Sequence, residues 1–537
     1  MPIEDFAQRC PYNAASDFVD ANVARGLGDK VAFRDGTRSL TYRELQQRTF
    51  SFAAALCDCG LMQESRIALL MHDTVDFPIA FWGAIRAGVI CIPLNTLLTA
   101  EQYEFMLEDS RAEAVIVSAP LLNVVAPILG KLRCLRSIIV AGGASPGVQG
   151  EARTVVSFEE FTACDPSAFS TAPTVSDEVA FWLYSSGSTG EPKGVKHVHS
   201  SLMATAKLYG HQVLGIRESD IVFSAAKLFF AYGLGNAMSF PMSVGATTAL
   251  LPERPTPDSA FALMKREQPT IFYGVPTLYA AMLAHQEIGR GAGSGRLRQC
   301  VSAGEALPSE MGRRWKETVG VDILDGIGST EMLHIFLSNR PEDVRYGTSG
   351  KPVPGYDAKI VDEDGHELGA DAIGELVVRG PSAAEGYWNQ RQKSRRTFAG
   401  HWTYTGDKYV RDAQGYYQYC GRTDDMFKVS GIWVSPFEVE AALASHEAVL
   451  EAAVIGETDD DKLVKPKAYV VLKPGCVADE RLIESLKMHV KASAGLWKYP
   501  RWIEFRAELP KTATGKIQRF KLREESAANS ASPGKAA

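Results

Sequence analysis

The sequence has no long run of like charge and no excess of basic residues. It carries 57 Lys and Arg against 64 Asp and Glu, which gives a formal net charge of -7. Proteins that bind polyanions usually carry a basic patch or tail, so we do not expect nucleic acid as a partner. With 45% hydrophobic and 23% charged residues, the composition is that of a globular protein and excludes a disordered chain.

The nine cysteines include no C-x-x-C pair of the kind that binds zinc. Cys57 and Cys59 are the closest to such a pair, but no histidine or second cysteine pair stands near them. An odd number of scattered cysteines in a long chain favours a reducing compartment. The N-terminal residues also lack the basic start and apolar core of a signal peptide, so we expect a cytoplasmic protein.

An uninterrupted apolar span is also missing. Residues 228–252 carry no charge and are numerous enough to cross a bilayer, but residues such as Gly233, Asn236 and Pro241 interrupt them. Such breaks and polar groups are costly in hydrocarbon. The segment therefore predicts buried backbone and no contact with a membrane.

What the sequence does contain is an alternation of short apolar strands and amphipathic helices. Residues 66–71 and 114–117 predict buried strands, whereas Thr41 and Glu44 form a capping box that opens a helix over 41–56. This alternation predicts an α/β fold in which helices flank parallel-rich sheets.

The length of 537 residues predicts several compact units. The pattern of predicted helices, strands and turns also changes along the chain. We expect a large N-terminal domain over 1–423, with a small β subdomain at about 347–420, where the sequence is rich in turns. A small, mobile α+β domain is expected over 424–524. Residues 525–537 predict a disordered tail.

The strongest local signal is the segment YSSGSTGEPKGV at 184–195, directly after an apolar run. Small and hydroxylated residues allow backbone and hydroxyl donors to close around phosphate oxygens, and Lys193 adds positive charge. The segment is not a Walker A loop, because its second glycine and lysine are not adjacent. Taken alone, a flexible Gly/Ser turn explains it equally well.

Five further segments follow it in order. They are SAGEA at 302–306, DGIGSTE at 325–331, YTGD at 404–407, GRTDD at 421–425 and PKTATGK at 510–516. Together the six closely resemble the motifs of the adenylate-forming superfamily of acyl- and aryl-CoA synthetases, luciferases and peptide-synthetase adenylation domains. Residues 225–236, 331–336 and 428–436 resemble the benzoate–CoA ligase group within it.

The resemblance implies a ligase that uses ATP, CoA and Mg²⁺. A carboxylate would attack the α-phosphorus of ATP to give an acyl-adenylate and pyrophosphate, and the CoA thiol would then displace AMP. Thr330 would donate to the α-phosphate and Glu331 would hold Mg²⁺, a cation that prefers oxygen ligands. Asp407 would accept the ribose hydroxyls, and Arg422 would hold the sugar or phosphate.

Two larger groups of nucleotide-binding residues are implied in the same way. The phosphates would be held by Ser185, Ser186, Gly187, Ser188, Thr189, Gly190 and Lys193, and adenine would lie between Gly304, Glu305, Ala306 and Asp325, Gly326, Ile327. Singly, each residue has an ordinary structural explanation, such as a turn aspartate or a surface ion pair. The ordered set favours the functional interpretation.

The resemblance also implies a lysine that acts from the C-terminal domain. Lys516 would bridge the carboxylate and the α-phosphate in the first step, although an exposed lysine near the chain end is the simpler explanation of the residue alone. The small domain would then rotate about Asp424. Its rotation would present the segment Lys428, Ser430, Gly431, Ile432 to the CoA channel. Lys516 also resembles lysines that an acetyltransferase modifies, so such an enzyme is an expected partner.

For the acyl group, the resemblance implies a pocket lined by Ala231, Tyr232, Ala303, Gly328, His334 and Ile335. The small residues would leave a thin slot between flat or apolar walls, which suits benzoate. A ligase for 4-hydroxybenzoate or another small substituted benzoate is the alternative. His334, beside apolar neighbours, is also explained as a core residue.

Two interpretations from other classes remain at this stage. A nicotinamide-dependent oxidoreductase would need a strand-linked G-x-G-x-x-G with a following acidic residue, and the sequence has none. A non-catalytic AMP-binding sensor would retain Asp407 and Lys516 for structure alone.

Overall fold

The computed structural model describes residues 11–143, 154–186, 192–429, 432–459, 463–495, 498–511 and 517–530. The chain divides into two compact units, each described here by itself. The first comprises Met1–Asp357 and Val378–Thr403, and the second comprises Ala358–Val377 and Tyr404–Ala537. Residue 424 falls inside the second unit, so the boundary of a mobile domain at this point stays a prediction.

The helices are distributed along both units. The α-helices are α1 (Tyr42–Asp58), α2 (Asp76–Arg86), α3 (Ala100–Ser110), α4 (Leu122–Leu129), α5 (Phe158–Phe161), α6 (His199–Thr205), α7 (Ala231–Leu234), α8 (Phe240–Val244), α9 (Pro257–Glu267), α10 (Pro276–Leu283), α11 (Ser309–Val319), α12 (Arg391–Thr397), α13 (Pro436–Ala444), α14 (Glu480–Ala494) and α15 (Arg519–Ser530). Short π-helical segments cover Ser16–Asp20, Val23–Leu27, Ala206–His211 and Gly235–Ser239, and 3₁₀ turns cover Ala119–Leu121 and Arg290–Gly293.

The strands form separate sheets. They are β1 (Val31–Arg34), β2 (Ser39–Thr41), β3 (Arg66–Leu70), β4 (Ile90–Pro93), β5 (Ala114–Ser118), β6 (Ser137–Ala141), β7 (Thr154–Ser157), β8 (Val179–Ser186), β9 (Pro192–Val198), β10 (Ile221–Ser224), β11 (Thr247–Ala249), β12 (Ile271–Gly274), β13 (Gln299–Ser302), β14 (Ile323–Gly328), β15 (Ile335–Ser338), β16 (Lys351–Pro352), β17 (Asp357–Val361), β18 (Ile373–Arg379), β19 (Gly386–Tyr387), β20 (Phe398–Ala399), β21 (Trp402–Arg411), β22 (Tyr417–Arg422), β23 (Phe427–Val429), β24 (Ile432–Val434), β25 (Val449–Thr458), β26 (Val464–Leu472) and β27 (Trp502–Phe505).

The first unit contains two large sheets. The eight-stranded sheet has the order β19-β9-β8-β4-β3-β5-β6-β7, and the nine-stranded sheet has the order β16-β15-β14-β13-β12-β10-β11-β1-β2. The inner strands of both sheets run parallel, and β5 and β6 are buried along their whole length, as strands covered by helices on both faces are. The predicted α/β class with parallel-rich sheets is confirmed.

Local signals that the sequence carries are present in the structure. The Thr41 hydroxyl accepts the backbone N–H of Glu44 at 3.2 Å, and the Glu44 carboxylate accepts the Thr41 N–H at 2.8 Å, which completes the predicted capping box of α1. Residues 228–252 form buried short helices and strand β11. Among the described residues we find no helix that combines the length and apolar character needed to cross a bilayer.

The second unit has its own core and ends in a helix. Strands β25, β26 and β27 form a sheet, and α13 and α14 pack with it through residues such as Leu443, Val454 and Leu486. The expectation of a disordered tail is wrong for residues 525–530, which belong to α15. The reason is tertiary: Leu522 is buried against β25 and β26, and Lys467 donates to the hydroxyl of Ser526 at 2.7 Å.

The close approach of α1 and α2 generates a test of packing. A Cβ on Gly83 would lie 2.7 Å from a ring carbon of Phe52 on the facing helix. We expect Gly83→Ala to lower the free energy of unfolding by about 1 to 3 kcal/mol, because overpacking outweighs the better helix propensity of alanine. Urea unfolding measures it. Gly130→Ala is the control, since no atom lies within 4 Å of its Cβ position, and equal effects would contradict the explanation.

Candidate active site

The predicted phosphate loop joins β8 and β9, the third and second strands of the eight-stranded sheet counted from β19. These strands pair antiparallel, with Ser185 opposite Lys193. Gly187, Ser188, Thr189 and Gly190 lie outside the described residues, and of Ser186 only the backbone is described. The described part therefore brings together Ser185 and Lys193, whose Nζ lies 3.8 Å from the carboxylate of Glu331.

Thr330 and Glu331 occupy the turn between β14 and β15, hereafter the 329–334 turn. The hydroxyl of Tyr387 donates to Oε1 of Glu331 at 2.8 Å, and Lys193 Nζ stands 4.7 Å above the centre of the Tyr387 ring. Glu331 thus lies between a cation and a phenol hydroxyl, with a side chain only 17% exposed. A carboxylate held in this way is a suitable ligand for a divalent cation.

The two segments predicted to hold adenine lie on neighbouring parallel strands: residues 304–306 follow β13, and residues 325–327 lie within β14. Ser302 at the end of β13 pairs in register with Asp325 in β14, so that residues 304–306 and 325–327 meet at the carboxyl ends of these strands. This is the usual position of ligands in open α/β sheets. Gly304 has a φ of +94°, which favours glycine. Burial raises the pKa of the Asp325 carboxyl well above its ordinary value.

In the second unit, Asp407 and Arg422 face each other across β21 and β22. Arg422 Nη1 donates to Oδ1 of Asp407 at 3.0 Å and to the carbonyl of Thr405 at 3.3 Å. The backbone N–H of Asp407 donates to the Thr405 hydroxyl at 3.1 Å, and that of Gly406 donates to the Glu375 carboxylate at 3.2 Å. The Asp407 carboxylate is therefore held by Arg422 from the paired strand, and the backbone at 406–407 is held by Thr405 and Glu375.

The remaining predicted residues of the second unit are only partly described. Lys428 lies in β23 with its Nζ 3.6 Å from Glu363, and Ile432 begins β24. Asp424 lies two residues after the end of β22. Ser430, Gly431 and Lys516 lie outside the described residues.

The predicted acyl residues meet around the imidazole of His334. The Tyr232 hydroxyl donates to the carbonyl of Val301 at 3.1 Å, and its ring centre lies 5.7 Å from that of His334. His334 Nε2 lies 3.1 Å from Oδ1 of Asn236, and its ring centre lies 4.5 Å from that of Phe240. Burial lowers the pKa of His334 to about 3, so the ring is neutral at pH 7.

The tautomer of His334 follows from these contacts. Because the backbone carbonyl oxygen of Tyr232, 3.3 Å from Nε2, can only accept, Nε2 carries the hydrogen and the buried Nδ1 is an acceptor, for which the described residues provide no hydrogen-bond partner. His334 is thus a core residue on one side and an unused acceptor on the other.

The small residues of the predicted slot have different causes. A Cβ on Gly328 would lie 2.5 Å from the backbone carbonyl oxygen of His334, so the approach of β15 to β14 requires glycine there. Ala303 and Ile335 are buried, and Ala231 is half-buried in α7. The absence of a side chain at 328 therefore reflects strand packing. Of the two small residues that predict the thin acyl slot, only Ala303 still supports it.

Comparisons with known proteins decide the family. Residues 20–388 match the model of the AMP-binding enzyme family, and residues 438–516 match its AMP-binding enzyme C-terminal domain. The chain belongs to the AMP-binding enzymes. The expected resemblance to adenylate-forming enzymes is thereby confirmed.

Relatives of this AMP-binding enzyme are similar over nearly their whole length. A benzoate–CoA ligase of Thauera aromatica is 56% identical over 95% of this chain and 96% of its own. A 4-hydroxybenzoate–CoA/benzoate–CoA ligase of Rhodopseudomonas palustris is 54% identical over 98% of this chain and 95% of its own. The crystal structure of a benzoate CoA ligase from Burkholderia xenovorans LB400 is 50% identical, covers 95% of this chain and 100% of its own, and superposes with a TM-score of 0.86.

Sequence reasoning missed two residues of this AMP-binding enzyme. Tyr387 reaches Glu331 because β19 pairs with β9, and His197 contacts the carbonyl of Thr330 from β9. Neither position stands in a recognised motif or has a spacing that links it to Glu331. Only the pairing of distant strands brings them to the site.

The buried imidazole of His334 predicts a pH-dependent stability. The unfolded chain takes up a proton near pH 6.5, whereas the folded AMP-binding enzyme does so only near pH 3, so this histidine destabilises the fold as the pH falls between these values. Between pH 7.5 and pH 5 its contribution is a loss of about 2 kcal/mol. From pH 7.5 to pH 5 the unfolding free energy of the wild type should therefore fall by about 2 kcal/mol more than that of His334→Gln, which has no imidazole to protonate. A difference that stays constant with pH would contradict this origin.

Proposed function

We propose that the protein is an ATP-dependent ligase that converts benzoate to benzoyl-CoA through benzoyl-AMP, with release of pyrophosphate and AMP. The observation that carries the proposal is the position of the Glu331 carboxylate. It lies beside Lys193, which follows the predicted phosphate loop in β9, and accepts a hydrogen bond from Tyr387. The names of the two close relatives and of the solved structure support a benzoate-type acid as the substrate. The cytoplasm is the proposed location.

The first step joins an anion to a polyanion, so positive charge and aligned donors are needed at the α-phosphate. A carboxylate oxygen forms a bond to the α-phosphorus, and the bond from that phosphorus to the oxygen bridging to the β-phosphate breaks. Lys193 with the loop residues holds the outer phosphates, Thr330 donates to the α-phosphate, and Asp407 accepts the ribose hydroxyls.

Magnesium fits the donor set of this site. Glu331 offers a carboxylate oxygen next to the phosphate-binding lysine, which is the environment in which Mg²⁺ is bound by a protein carboxylate together with substrate phosphates. When bound, the ion neutralises phosphate charge during the transfer. Tyr387 orients the Glu331 carboxylate for this role through its 2.8 Å hydrogen bond.

In the second step the sulfur of CoA forms the thioester bond at the carbonyl carbon, AMP departs and the thiol proton is released. Lys428, Ser430, Gly431 and Ile432 are proposed to line the CoA channel after rotation about Asp424. Lys516 is proposed as the lysine of the first step and as the target of an acetyltransferase, which would remove the charge this step needs.

Exchange of labelled pyrophosphate into ATP tests the proposed function. The exchange should depend on benzoate, and adding CoA should then yield benzoyl-CoA. Exchange without an aryl acid, or none with any small benzoate, would contradict the proposal, and a sensor that merely binds AMP would give none.

One observation favours 4-hydroxybenzoate as a second substrate. The Nδ1 atom of His334 is a buried acceptor without a partner among the described residues, and a ring hydroxyl would donate to it. A relative named for both acids supports the same alternative. Relative kcat/KM values across a panel of benzoates separate the two assignments.

The slot argument predicts the effect of a larger residue at 303. Ala303 is only 3% exposed, directly after β13. We expect Ala303→Leu to lower kcat/KM for benzoate by about five- to a hundredfold, since overpacking typically costs about 1 to 3 kcal/mol, while the KM of ATP changes little. Equal losses of benzoate and ATP affinity would instead identify Ala303 as a folding position.

The assignment of Lys516 predicts a separation of the two half-reactions. We expect Lys516→Ala to slow benzoyl-AMP formation by on the order of a hundred- to a thousandfold, because one preorganised charge contact is lost. Thioester formation from supplied benzoyl-AMP should be nearly unchanged. Comparable losses in both steps, with circular dichroism unchanged, would contradict a lysine that acts in only one domain position.

A further inference from the structure

His197 is a fully buried histidine that contacts the 329–334 turn from another sheet. It lies on β9, opposite Phe181 of β8, and stacks on the Phe181 ring with centres 5.2 Å apart. Its Nε2 lies 2.8 Å from the backbone carbonyl oxygen of Thr330. The eight-stranded sheet, which carries β9, is thus joined here to the nine-stranded sheet, which carries β14 and β15.

The direction of this hydrogen bond is determined by its chemistry. A carbonyl oxygen can only accept, so Nε2 carries the hydrogen. Burial lowers the pKa of His197 to about 4, so the ring is neutral near pH 7 and the donor is an uncharged imidazole. Its Nδ1 is buried without a hydrogen-bond partner among the described residues. Within that part of the chain, the imidazole therefore makes its hydrogen bond through Nε2, to Thr330.

The same turn is held at two further atoms by residues near β9. The backbone N–H of Ala384 donates to the carbonyl of Glu331 at 2.8 Å, and Tyr387 donates to the Glu331 carboxylate. Strand β9 also carries Lys193, four residues before His197. A single strand therefore contributes a phosphate-binding lysine at one end and a donor to the Thr330 carbonyl at the other.

We propose that His197 is a positioning residue for adenylation: its Nε2–H fixes the Thr330 peptide and thereby holds the 329–334 turn in register with Lys193. The proposal rests on the proposed function. The Thr330 carbonyl also accepts the backbone N–H of Leu333 at 3.2 Å within the turn. Without His197 the carbonyl keeps this local bond but loses the shorter one that ties it to β9, so the turn can shift relative to Lys193. Misplacement of such groups by about 1 Å can cost on the order of a hundredfold in rate.

Variants at position 197 separate positioning from packing. In His197→Gln the side-chain amide can place a donor near the position of Nε2, whereas His197→Met has similar bulk and no donor. His199→Met is the matched control. This residue is also buried with its pKa lowered to about 4, but its Nδ1 accepts the backbone N–H of Ala14 at 3.2 Å. It has no recorded contact with the 329–334 turn in the described residues.

Two readouts are measured for each variant. The first is the dissociation constant of a non-hydrolysable ATP analogue with Mg²⁺, by calorimetry. The second is the rate of benzoyl-AMP formation in a single turnover. We expect His197→Met to lower this rate by about ten- to a hundredfold and to weaken analogue binding, as loss of a partner for a buried carbonyl does. We expect His197→Gln to recover most of both, and His199→Met to change neither beyond about twofold.

Equal losses in His197→Gln and His197→Met, a similar loss in His199→Met, or no effect of His197→Met would each overturn the proposal. Should His197→Met not fold, His197→Asn replaces it, because its shorter amide does not reach the Thr330 carbonyl. The calorimetric readout does not depend on the acid. A wild type that binds the analogue but adenylates no benzoate contradicts the proposed function and leaves the positioning test intact.

Discussion

The contact between Glu331 and the edge of the eight-stranded sheet is the interaction on which the site of the first unit depends. Glu331 belongs to the nine-stranded sheet through its turn, and its carboxylate lies 3.8 Å from Lys193 and 2.8 Å from the Tyr387 hydroxyl, both on the other sheet. An isolated ion pair at a protein surface contributes little. Here the partners are largely buried and come from paired strands, so their positions are determined by two sheets at once.

This arrangement leaves polar atoms in the core. The buried atoms without a hydrogen-bond partner among the described residues include Nδ1 of His197, Nδ1 of His334 and Oδ1 of Asp325, all close in sequence to the adenylation motifs or in contact with them. A buried polar group without a partner destabilises a fold by about 1 to 3 kcal/mol. Such groups are expected where function requires a local rule to be broken.

In the second unit, a network of ion pairs connects elements that are far apart in the chain. Arg519 at the start of α15 donates to Glu440 of α13 at 2.6 Å and lies 3.5 Å from Asp425, which also pairs with Arg523 at 2.7 Å. The negative neighbours raise the pKa of Arg519 above its usual value. This network anchors α15, so residues 525–530 are helical although their composition alone favours disorder.

The sequence by itself determined the fold class, the capped start of α1, the order of the nucleotide motifs and the family, since these depend on local patterns and short motifs. Tertiary structure decided the rest. Tyr387 and His197 reach the 329–334 turn only through strand pairing, and the need for glycine at 328 comes from the backbone of β15. The helical state of residues 525–530 depends on burial of Leu522. Each of these depends on residues far away in the chain, and local patterns carry no information about contacts that only the folded chain makes.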